Sequence, residues 1–245
     1  MPRILLCMLL LLPGGCVYFS DHTPPGACGN DLGSPIRNFC VVAPGVLWRG
    51  QRPTSDDANW LLAHGVGTIV GLGMDDGEAI RGASPNAQRI HSLYYLDAEF
   101  GPLEFLSQAR LDHHVERFLA ILKQAPKPVY LHCRAGIDRT GVLSAAYQVL
   151  VQGASPEQAI AEMARYHTPW IKLSARYVRS LAPAARRAEI LKGAGEYAAR
   201  LQPTARIECE REHCGFAPAQ LPAGSGGESL ADRSALGAAG NAGGG

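Results

Sequence analysis

The chain has 245 residues, 47% of them hydrophobic, which is enough for one ordinary buried core. Lys and Arg total 23 and Asp and Glu total 22, so the formal net charge is +1. This balance argues against a nucleic-acid-binding protein, which usually carries a basic excess, so any anion-binding site must be built from local groups.

The first fifteen residues are typical of an export signal. Arg3 precedes an apolar run over residues 4–12, which is far shorter than the ~20 residues of a membrane-spanning helix. Small residues then lead to Cys16, as in bacterial lipoprotein signals, although Pro13 stands where leucine is usual. We expect residues 1–15 to be removed in a bacterium and the protein to reach the periplasm or envelope. Cys16 then either carries an anchoring lipid or is left unmodified after plain signal cleavage nearby.

The cysteines support the same compartment. Four of the seven flank the central part of the chain, namely Cys28, Cys40, Cys209 and Cys214. An even number in an exported protein predicts two disulfides, and the sequence leaves all three pairings open. Free thiols on loose segments, or a zinc site at Cys209, His213 and Cys214, are weaker alternatives because one short pair is little support for a metal site.

The first half of the chain alternates short elements. Residues 16–38 are rich in Pro, Gly, Asp and Ser, as in an irregular tether. Ser55 is placed to cap a helix that ends near Gly65. Strands are expected at residues 41–42, 46–48, 67–72 and 89–96.

The second half is mostly helical. Apolar residues recur at helical spacing over residues 107–124, and Ser155 with Gln158 forms a helix start. A brief strand is expected at 129–131, and further helices at 140–152 and 173–201. After Cys214 the chain is rich in Gly and Ala, which predicts disorder over residues 215–245.

Strands that alternate with helices predict an α/β fold with a mostly parallel sheet and helices on both faces. The expected folded domain spans residues 39–201. Residues 202–245 are expected to form a cysteine-containing extension and a disordered tail.

One segment, HCRAGIDRTG from His132 to Gly141, joins the 129–131 strand to the next helix. Open α/β sheets bind ligands at this end of a strand, and a helix start offers N–H groups and a positive dipole end to an anion. A cysteine in this setting is favoured as the thiolate, which is a strong nucleophile. Arg139 adds a planar cation that matches phosphate oxygens. The segment therefore predicts a cysteine-dependent phosphate site.

Cys133, five intervening residues, Arg139 and Thr140 resemble the signature loop of the protein tyrosine phosphatase superfamily. Residues 46–53 (VLWRGQRP) with the helix and strand that follow resemble the opening of its dual-specificity-like branch, and the resemblance spans about residues 39–181. It implies a three-layer cysteine-phosphatase fold. It also implies hydrolysis of phosphate monoesters through a cysteinyl-phosphate, with no metal ion or cofactor.

The resemblance also implies the roles of individual residues. Cys133 attacks phosphorus, His132 holds the loop and favours the thiolate, and Thr140 hydrogen-bonds the sulfur when it leaves. Phosphate oxygens are bound by the Arg139 side chain and by the backbone N–H groups of Arg134, Ala135, Gly136, Ile137, Asp138 and Arg139.

The general acid of this superfamily is usually an Asp on a loop before the signature. Asp97 fits best because it follows the 89–96 strand, and Glu99 and Glu104 are alternatives. Asp112 lies within a helical pattern and is expected on a solvated face, as are His113 and His114.

The substrate stays open at this point. A phosphorylated protein, with phosphotyrosine or dual specificity, is the first expectation, and a phosphoinositide or inositol phosphate is the alternative. Arg134 places a cation beside the nucleophile, and Asp138 before Arg139 resembles some bacterial and lipid-directed members. Arg49 and Arg52 are either surface charges or residues of the pocket rim. A sulfurtransferase is disfavoured because its loop is typically shorter, and a phosphate-binding module without turnover is the non-enzymatic alternative.

Overall fold

The computed structural model describes residues 30–73, 92–96, 106–166, 168, 170–200, 205–210 and 213–218. Strands in these ranges form one sheet of seven, in the order β1-β2-β5-β3-β4-β6-β7. They are β1 (Cys40–Ala43), β2 (Leu47–Gln51), β3 (Thr68–Leu72), β4 (Ser92–Leu96), β5 (Val129–Cys133), β6 (Ala205–Glu210) and β7 (His213–Pro218).

The four inner strands β2, β5, β3 and β4 run parallel, whereas β1, β6 and β7 add to the two edges in antiparallel fashion. Every residue of β3 and β5 is buried, as expected for strands covered on both faces. The α/β fold predicted from the sequence is thereby confirmed, but the described sheet is mixed: its centre is parallel as expected, whereas the three pairings at its edges are antiparallel.

Helices cover both faces of the sheet. One face packs against α1 (Ser55–Ala63), where Leu61 meets Trp48 and Tyr130. The other face carries the larger core and the remaining helices, which are α2 (Gln108–Gln124), α3 (Asp138–Tyr147), α4 (Pro156–Ala164), α5 (Ile171–Ser180) and α6 (Ala184–Ala198). A π-helical turn, Gln148–Gln152, continues α3 and ends at Gly153, whose φ is 74°. None of the described helices has both the length and the apolar character needed to cross a bilayer.

Several boundaries differ from those expected. The cap of α1 is Thr54 rather than Ser55, because Thr54 and Asp57 exchange side-chain to backbone hydrogen bonds in a capping box. The capping box of Ser155 and Gln158 is confirmed. The expected helix at 173–201 is instead two helices that meet near Pro183, which lacks an N–H group and starts α6.

The C-terminal part of the chain also differs. Strand β7 pairs with β6 up to Pro218, and β6 pairs with β4. The expectation of disorder from residue 215 is therefore wrong for residues 215–218, which are held by backbone pairing in the central sheet. Residues 219–245, and the proposed signal at 1–15, lie outside the described residues.

Helix α2 buries more polar groups than its pattern indicated. His114 is buried, and Asp112 accepts hydrogen bonds from the Tyr177 hydroxyl (3.0 Å) and the Arg186 guanidinium. The expected solvated face is therefore wrong for these two side chains, because α5 and α6 pack over that side of α2. His113 is exposed, as expected.

Candidate active site

The candidate site lies where β5 gives way to α3. Because β2, β3 and β5 are parallel, their carboxyl ends share one edge of the sheet, with Gln51 opposite Cys133 and Gly71 opposite His132. Cys133 is buried and is a free thiol. Helix α3 begins at Asp138, at the far end of the loop. This is the strand, loop and helix arrangement predicted from the sequence.

Three successive carbonyl groups of this loop accept hydrogen bonds from neighbouring segments. The donors are the Arg52 N–H to Arg134 (3.3 Å), the Asn38 side-chain amide to Ala135 (2.7 Å) and the Arg49 guanidinium to Gly136. In a trans peptide the N–H points opposite to the adjoining C=O, so the N–H groups of residues 135–137 face the other side of the loop. Within the described parts of the chain these three N–H groups donate to no acceptor, so they form a set of donors suited to an anion.

Gly136 fits where another residue would not. Its φ of 70° lies in the left-handed region, and an added Cβ would lie 2.3 Å from the Gly50 carbonyl group. Gly50 is in turn pressed against Tyr130, whose hydroxyl donates to the Gln51 carbonyl (2.6 Å). The loop therefore rests directly on the end of β2.

Arg49 lies beneath the loop and is 1% exposed. Its guanidinium donates to the Gly136 carbonyl and lies 4.0 Å from the centroid of the Tyr166 ring. Both expectations for Arg49, a surface charge or a rim residue, are therefore wrong. Its place follows from strand alternation, since Leu47 and Arg49 project to the same face of β2, which carries the larger core.

Three further residues of the signature segment are fully or partly buried. Arg139 is half-buried, and its Nη1 donates to the Leu72 carbonyl at the end of β3 (2.8 Å). Thr140 is fully buried, and its hydroxyl has no hydrogen-bond partner among the described residues. His132 is fully buried, with Nδ1 3.4 Å from the Cys133 carbonyl and its ring stacked on Tyr130.

Asp138 ties the start of α3 to the segment between α4 and α5. Its carboxylate accepts a hydrogen bond from the buried Thr168 hydroxyl. Burial raises the pKa of Asp138, while the Thr168 hydrogen bond and the charge of Arg139 oppose that change. Tyr166, from the same segment, packs on Ile137. This segment therefore supports the loop from behind.

Asp97, Glu99 and Glu104 lie outside the described residues. Leu96, which precedes Asp97 in the sequence, ends β4 directly opposite Leu72. The Leu72 carbonyl is the group that accepts from Arg139. The carboxyl end of β4 therefore lies at the same edge of the sheet as the signature loop.

Sequence reasoning missed the residues that hold the loop in place, namely Asn38, Tyr166 and Thr168. Their contacts join parts of the chain separated by 97 residues for Asn38 and by 30 for Thr168, and no local pattern marks them. The role of Arg49, by contrast, could have been suspected from the sequence. An arginine at an inward position of an apolar strand is costly to bury and so indicates a specific partner.

Comparison with known proteins agrees with this geometry. Residues 42–176, more than half of the chain, match the family described as DSP-PTPase phosphatase fused to NAD+ kinase. The dual specificity protein phosphatase TpbA of Pseudomonas aeruginosa (strain UCBPP-PA14) is 30% identical over 166 residues, which is 66% of this chain and 71% of that protein. The chain belongs to this dual-specificity-like family of cysteine phosphatases.

A solved structure supports the fold. The core catalytic domain of the PP-IP phosphatase SIW14 from Saccharomyces cerevisiae, crystallised with citrate, superposes with a TM-score of 0.51 at 21% identity. The match covers 66% of this chain and 94% of that domain. A probable chloroplastic NAD kinase 2 of Oryza sativa is 32% identical over 109 residues, but these make up 44% of this chain and only 11% of that protein. The membership makes the protein a cysteine-based phosphatase with the three-layer fold.

Proposed function

We propose that Cys133 is the nucleophile of this phosphatase. Its thiolate attacks phosphorus, so an S–P bond forms while the bond from phosphorus to the leaving oxygen breaks. Water then attacks the cysteinyl-phosphate, which releases inorganic phosphate and returns the thiolate. Arg139 and the N–H groups of residues 134–139 bind the phosphoryl oxygens, His132 supports the loop, and Thr140 donates to the sulfur as it leaves.

This proposal is supported above all by the three hydrogen bonds that neighbouring segments donate to successive carbonyl groups of the loop. These bonds turn the N–H groups of residues 135–137 to one side, at the end of β5 and the start of α3. Such fixed donors stabilise charge on a transferring phosphoryl group without reorganisation during the reaction. Phosphoryl transfer depends mainly on this kind of positioning.

The test uses Cys133→Ser and Arg139→Lys with an aryl phosphate. Cys133→Ser is expected to abolish hydrolysis but still to bind vanadate. Arg139→Lys is expected to lower turnover strongly, because an ammonium cannot form the two-pronged bond of a guanidinium. Arg179→Lys, which changes an exposed arginine of α5, is the control and should retain full activity. Retention of more than trace hydrolysis in Cys133→Ser rejects the mechanism. Binding without turnover in the wild-type protein favours the non-enzymatic module.

Asp97 is our choice for the general acid that protonates the leaving oxygen and then activates water. It is supported by the pairing of Leu96 with Leu72, at the edge where Arg139 contacts β3. Asp97→Asn is expected to slow hydrolysis of alkyl phosphates ~10²–10⁴-fold and that of nitrophenyl phosphate much less. Glu99→Gln and Glu104→Gln are the matched variants, and a larger loss in either one reassigns the role.

The proposed substrate is a phosphorylated protein, with phosphotyrosine or dual specificity, as the name of TpbA states for that relative. An inositol phosphate or phosphoinositide is the second candidate. It is favoured by three arginines whose backbones lie near the loop, since the Arg37 carbonyl accepts from the N–H of Gln51, the neighbour of Arg52, and the Arg52 N–H donates to the Arg134 carbonyl. Comparing kcat/KM for phosphotyrosyl peptides with that for inositol phosphates separates the two.

Export with two disulfides is a further part of the proposal, and strand order supports one of the three pairings. Cys209 and Cys214 are directly opposite each other in β6 and β7. Opposite residues in antiparallel strands have Cα atoms ~4.5–5.5 Å apart, within the range of a disulfide. Cys40 forms a disulfide. It starts β1 at the opposite edge of the sheet, about five strand spacings (~24 Å) from β6, which is too far for a bond to Cys209 or Cys214. We therefore propose Cys209–Cys214 and Cys28–Cys40, with Cys133 free.

Mass spectrometry of non-reduced protein from the native cell envelope tests this. The expected peptides link residues 28 and 40, and residues 209 and 214, with residues 1–15 removed and Cys16 either lipidated or unmodified. Free thiols at all four positions on a chain that retains residues 1–15 would place the enzyme in the cytoplasm.

A further inference from the structure

We propose that Arg49 is a positioning residue for the reaction. It fixes the peptide between Gly136 and Ile137, and its buried charge favours the thiolate form of Cys133. The inference rests on the proposed role of Cys133. It concerns a side chain that does not touch the substrate, since Arg49 lies on the side of the loop opposite to the N–H groups of residues 135–137.

Strand geometry brings Arg49 and Cys133 to the same face. Gln51 is opposite Cys133, so Arg49 is two residues back along the neighbouring strand. With strands ~4.8 Å apart and ~3.3 Å per residue, the two Cα atoms are about 8 Å apart. The guanidinium reaches from there to the Gly136 carbonyl within the loop itself.

Within the part of the chain that the structure describes, Arg49 forms no direct ion pair. Its guanidinium contacts a carbonyl oxygen and the face of the Tyr166 ring, and its Nε has no hydrogen-bond partner within the described ranges. Burial lowers the pKa of Arg49, while the nearby Tyr166 and Cys133 oppose that change. An arginine stays protonated in proteins, so the fold holds a buried cation whose field is available to the loop.

The other ionisable groups that act on Arg49 or lie in and next to the loop come from several elements. They are His132 and Tyr130 on β5, Arg134 in the loop, Asp138 and Arg139 on α3, Glu162 on α4 and Tyr166 after α4. Glu162, the carboxylate among those that act on Arg49, also accepts a hydrogen bond from Gln148 (2.5 Å). Glu162 forms no direct ion pair with Arg49 within the described ranges, so Arg49 remains a cation held beneath the loop by a carbonyl group and a ring.

Two substitutions separate the two contributions of Arg49. Arg49→Lys keeps a cation but loses the planar fork that holds the Gly136 carbonyl. Arg49→Met keeps much of the side-chain length and loses both the charge and the hydrogen bond. If the inference holds, lysine disturbs phosphate binding more than thiol ionisation, and methionine disturbs both.

The experiment measures the rate of Cys133 alkylation by iodoacetamide against pH, together with kcat/KM for an aryl phosphate. For Arg49→Met we expect the alkylation midpoint to rise by about 1.5 pH units, the effect of a charge at the ~8 Å separation of the two Cα atoms with an effective dielectric constant of about 20. We also expect kcat/KM to fall ~10²–10³-fold, the effect of losing one fixed donor. For Arg49→Lys we expect a midpoint close to that of the wild type and a smaller fall in kcat/KM, about tenfold. Arg179→Met, at an exposed position, should change neither.

The outcomes are distinct. An unchanged midpoint and an unchanged kcat/KM in folded Arg49→Met overturn the inference, even where Cys133→Ser shows that Cys133 is the nucleophile. If Arg49→Met does not fold, Arg49→Lys decides, because full activity in that variant also overturns it. If alkylation of Cys133 fails to inactivate the wild-type enzyme, the proposed nucleophile is wrong and not merely the role of Arg49.

Discussion

Two regions of this molecule hold an arginine with little exposure, Arg49 fully buried and Arg186 partly so, and they use it differently. Arg186 on α6 donates to Asp112 and to Glu189 (2.7 Å), and its side chain is 18% exposed. Burial lowers the pKa of Arg186, but its hydrogen bonds to Glu189 and Asp112 outweigh that effect and the pKa is raised. For Arg49, burial prevails and the pKa is lowered.

The difference separates a structural cation from a functional one. In the helical cluster, burial and the Asp112 charge raise the pKa of Tyr177, so its hydroxyl stays protonated and donates to Asp112. The positive charge of Arg186 is matched there by carboxylates. Beneath the signature loop the charge of Arg49 meets a carbonyl and a ring, and it is left to act on the loop. Changes near Arg49 should therefore reduce turnover, and changes near Arg186 should reduce stability.

The largest effect is expected for Gly136→Ala. The added Cβ would lie 2.3 Å from the backbone of Gly50, at a φ of 70°, so the loop must move away from β2. We expect kcat/KM to fall at least ~10²-fold, because the N–H donors of residues 135–137 lose their alignment. Steady-state kinetics with nitrophenyl phosphate provide the measurement.

Gly153→Ala is the matched control. Gly153 also has a positive φ, 74°, but an added Cβ there has no atom within 4 Å. It should cost about 1 kcal/mol of stability through backbone strain and leave kcat/KM unchanged. Equal losses of activity in the two variants would mean that contact with Gly50 does not position the loop.

Arg186→Met tests the structural side of the comparison. It removes one partner of a partly buried ion pair, so that among the described residues the Tyr177 hydroxyl remains as the donor to Asp112. We expect the free energy of unfolding to fall by about 1–3 kcal/mol, below the full cost for a completely buried pair because Arg186 is partly exposed. Urea denaturation measures it, and kcat/KM at 25 °C should stay within about twofold. A large loss of kcat/KM in the folded variant would contradict the view that Arg186 supports stability and not turnover.

These contrasts also show what the sequence could reveal. Cys133, Arg139 and the strand that precedes them form a contiguous segment, so their chemistry and their place at a sheet edge could be predicted together. Thr54 was missed as a cap because Ser55 is also a good capping residue. Asp112 and His114 were misplaced because the helical period of α2 gives no sign that α5 and α6 cover its second side. Arg49, Asn38 and Thr168 act through contacts distant in sequence, which appear only once the sheet order is known.

A smaller effect is expected for Thr168→Val. The change keeps the shape of the side chain but removes the hydroxyl that donates to Asp138 at the start of α3. We expect kcat/KM to fall about tenfold, because a buried carboxylate that loses its donor destabilises the adjoining turn. Ser144→Ala is the control, since that buried hydroxyl has no partner among the described residues. Equal kinetics in the two variants would show that the Thr168 contact is dispensable.

The smallest effect is a pH dependence of stability from Asp138. Burial raises its pKa in the folded state above the ordinary carboxyl value, while Thr168 and Arg139 reduce that change. Between the unfolded and folded pKa values the folded protein holds the extra proton, so stability falls as the pH rises through this interval. Asp138→Asn cannot ionise but can still accept from Thr168. It should therefore be more stable than the wild type at neutral pH, by about 0.5–1 kcal/mol, on the scale of a single hydrogen bond. The advantage should vanish below the ordinary carboxyl pKa, where both side chains are neutral. Urea denaturation of both proteins from acid to neutral pH measures the difference. A constant difference across the range would show that the ionisation of Asp138 does not oppose folding.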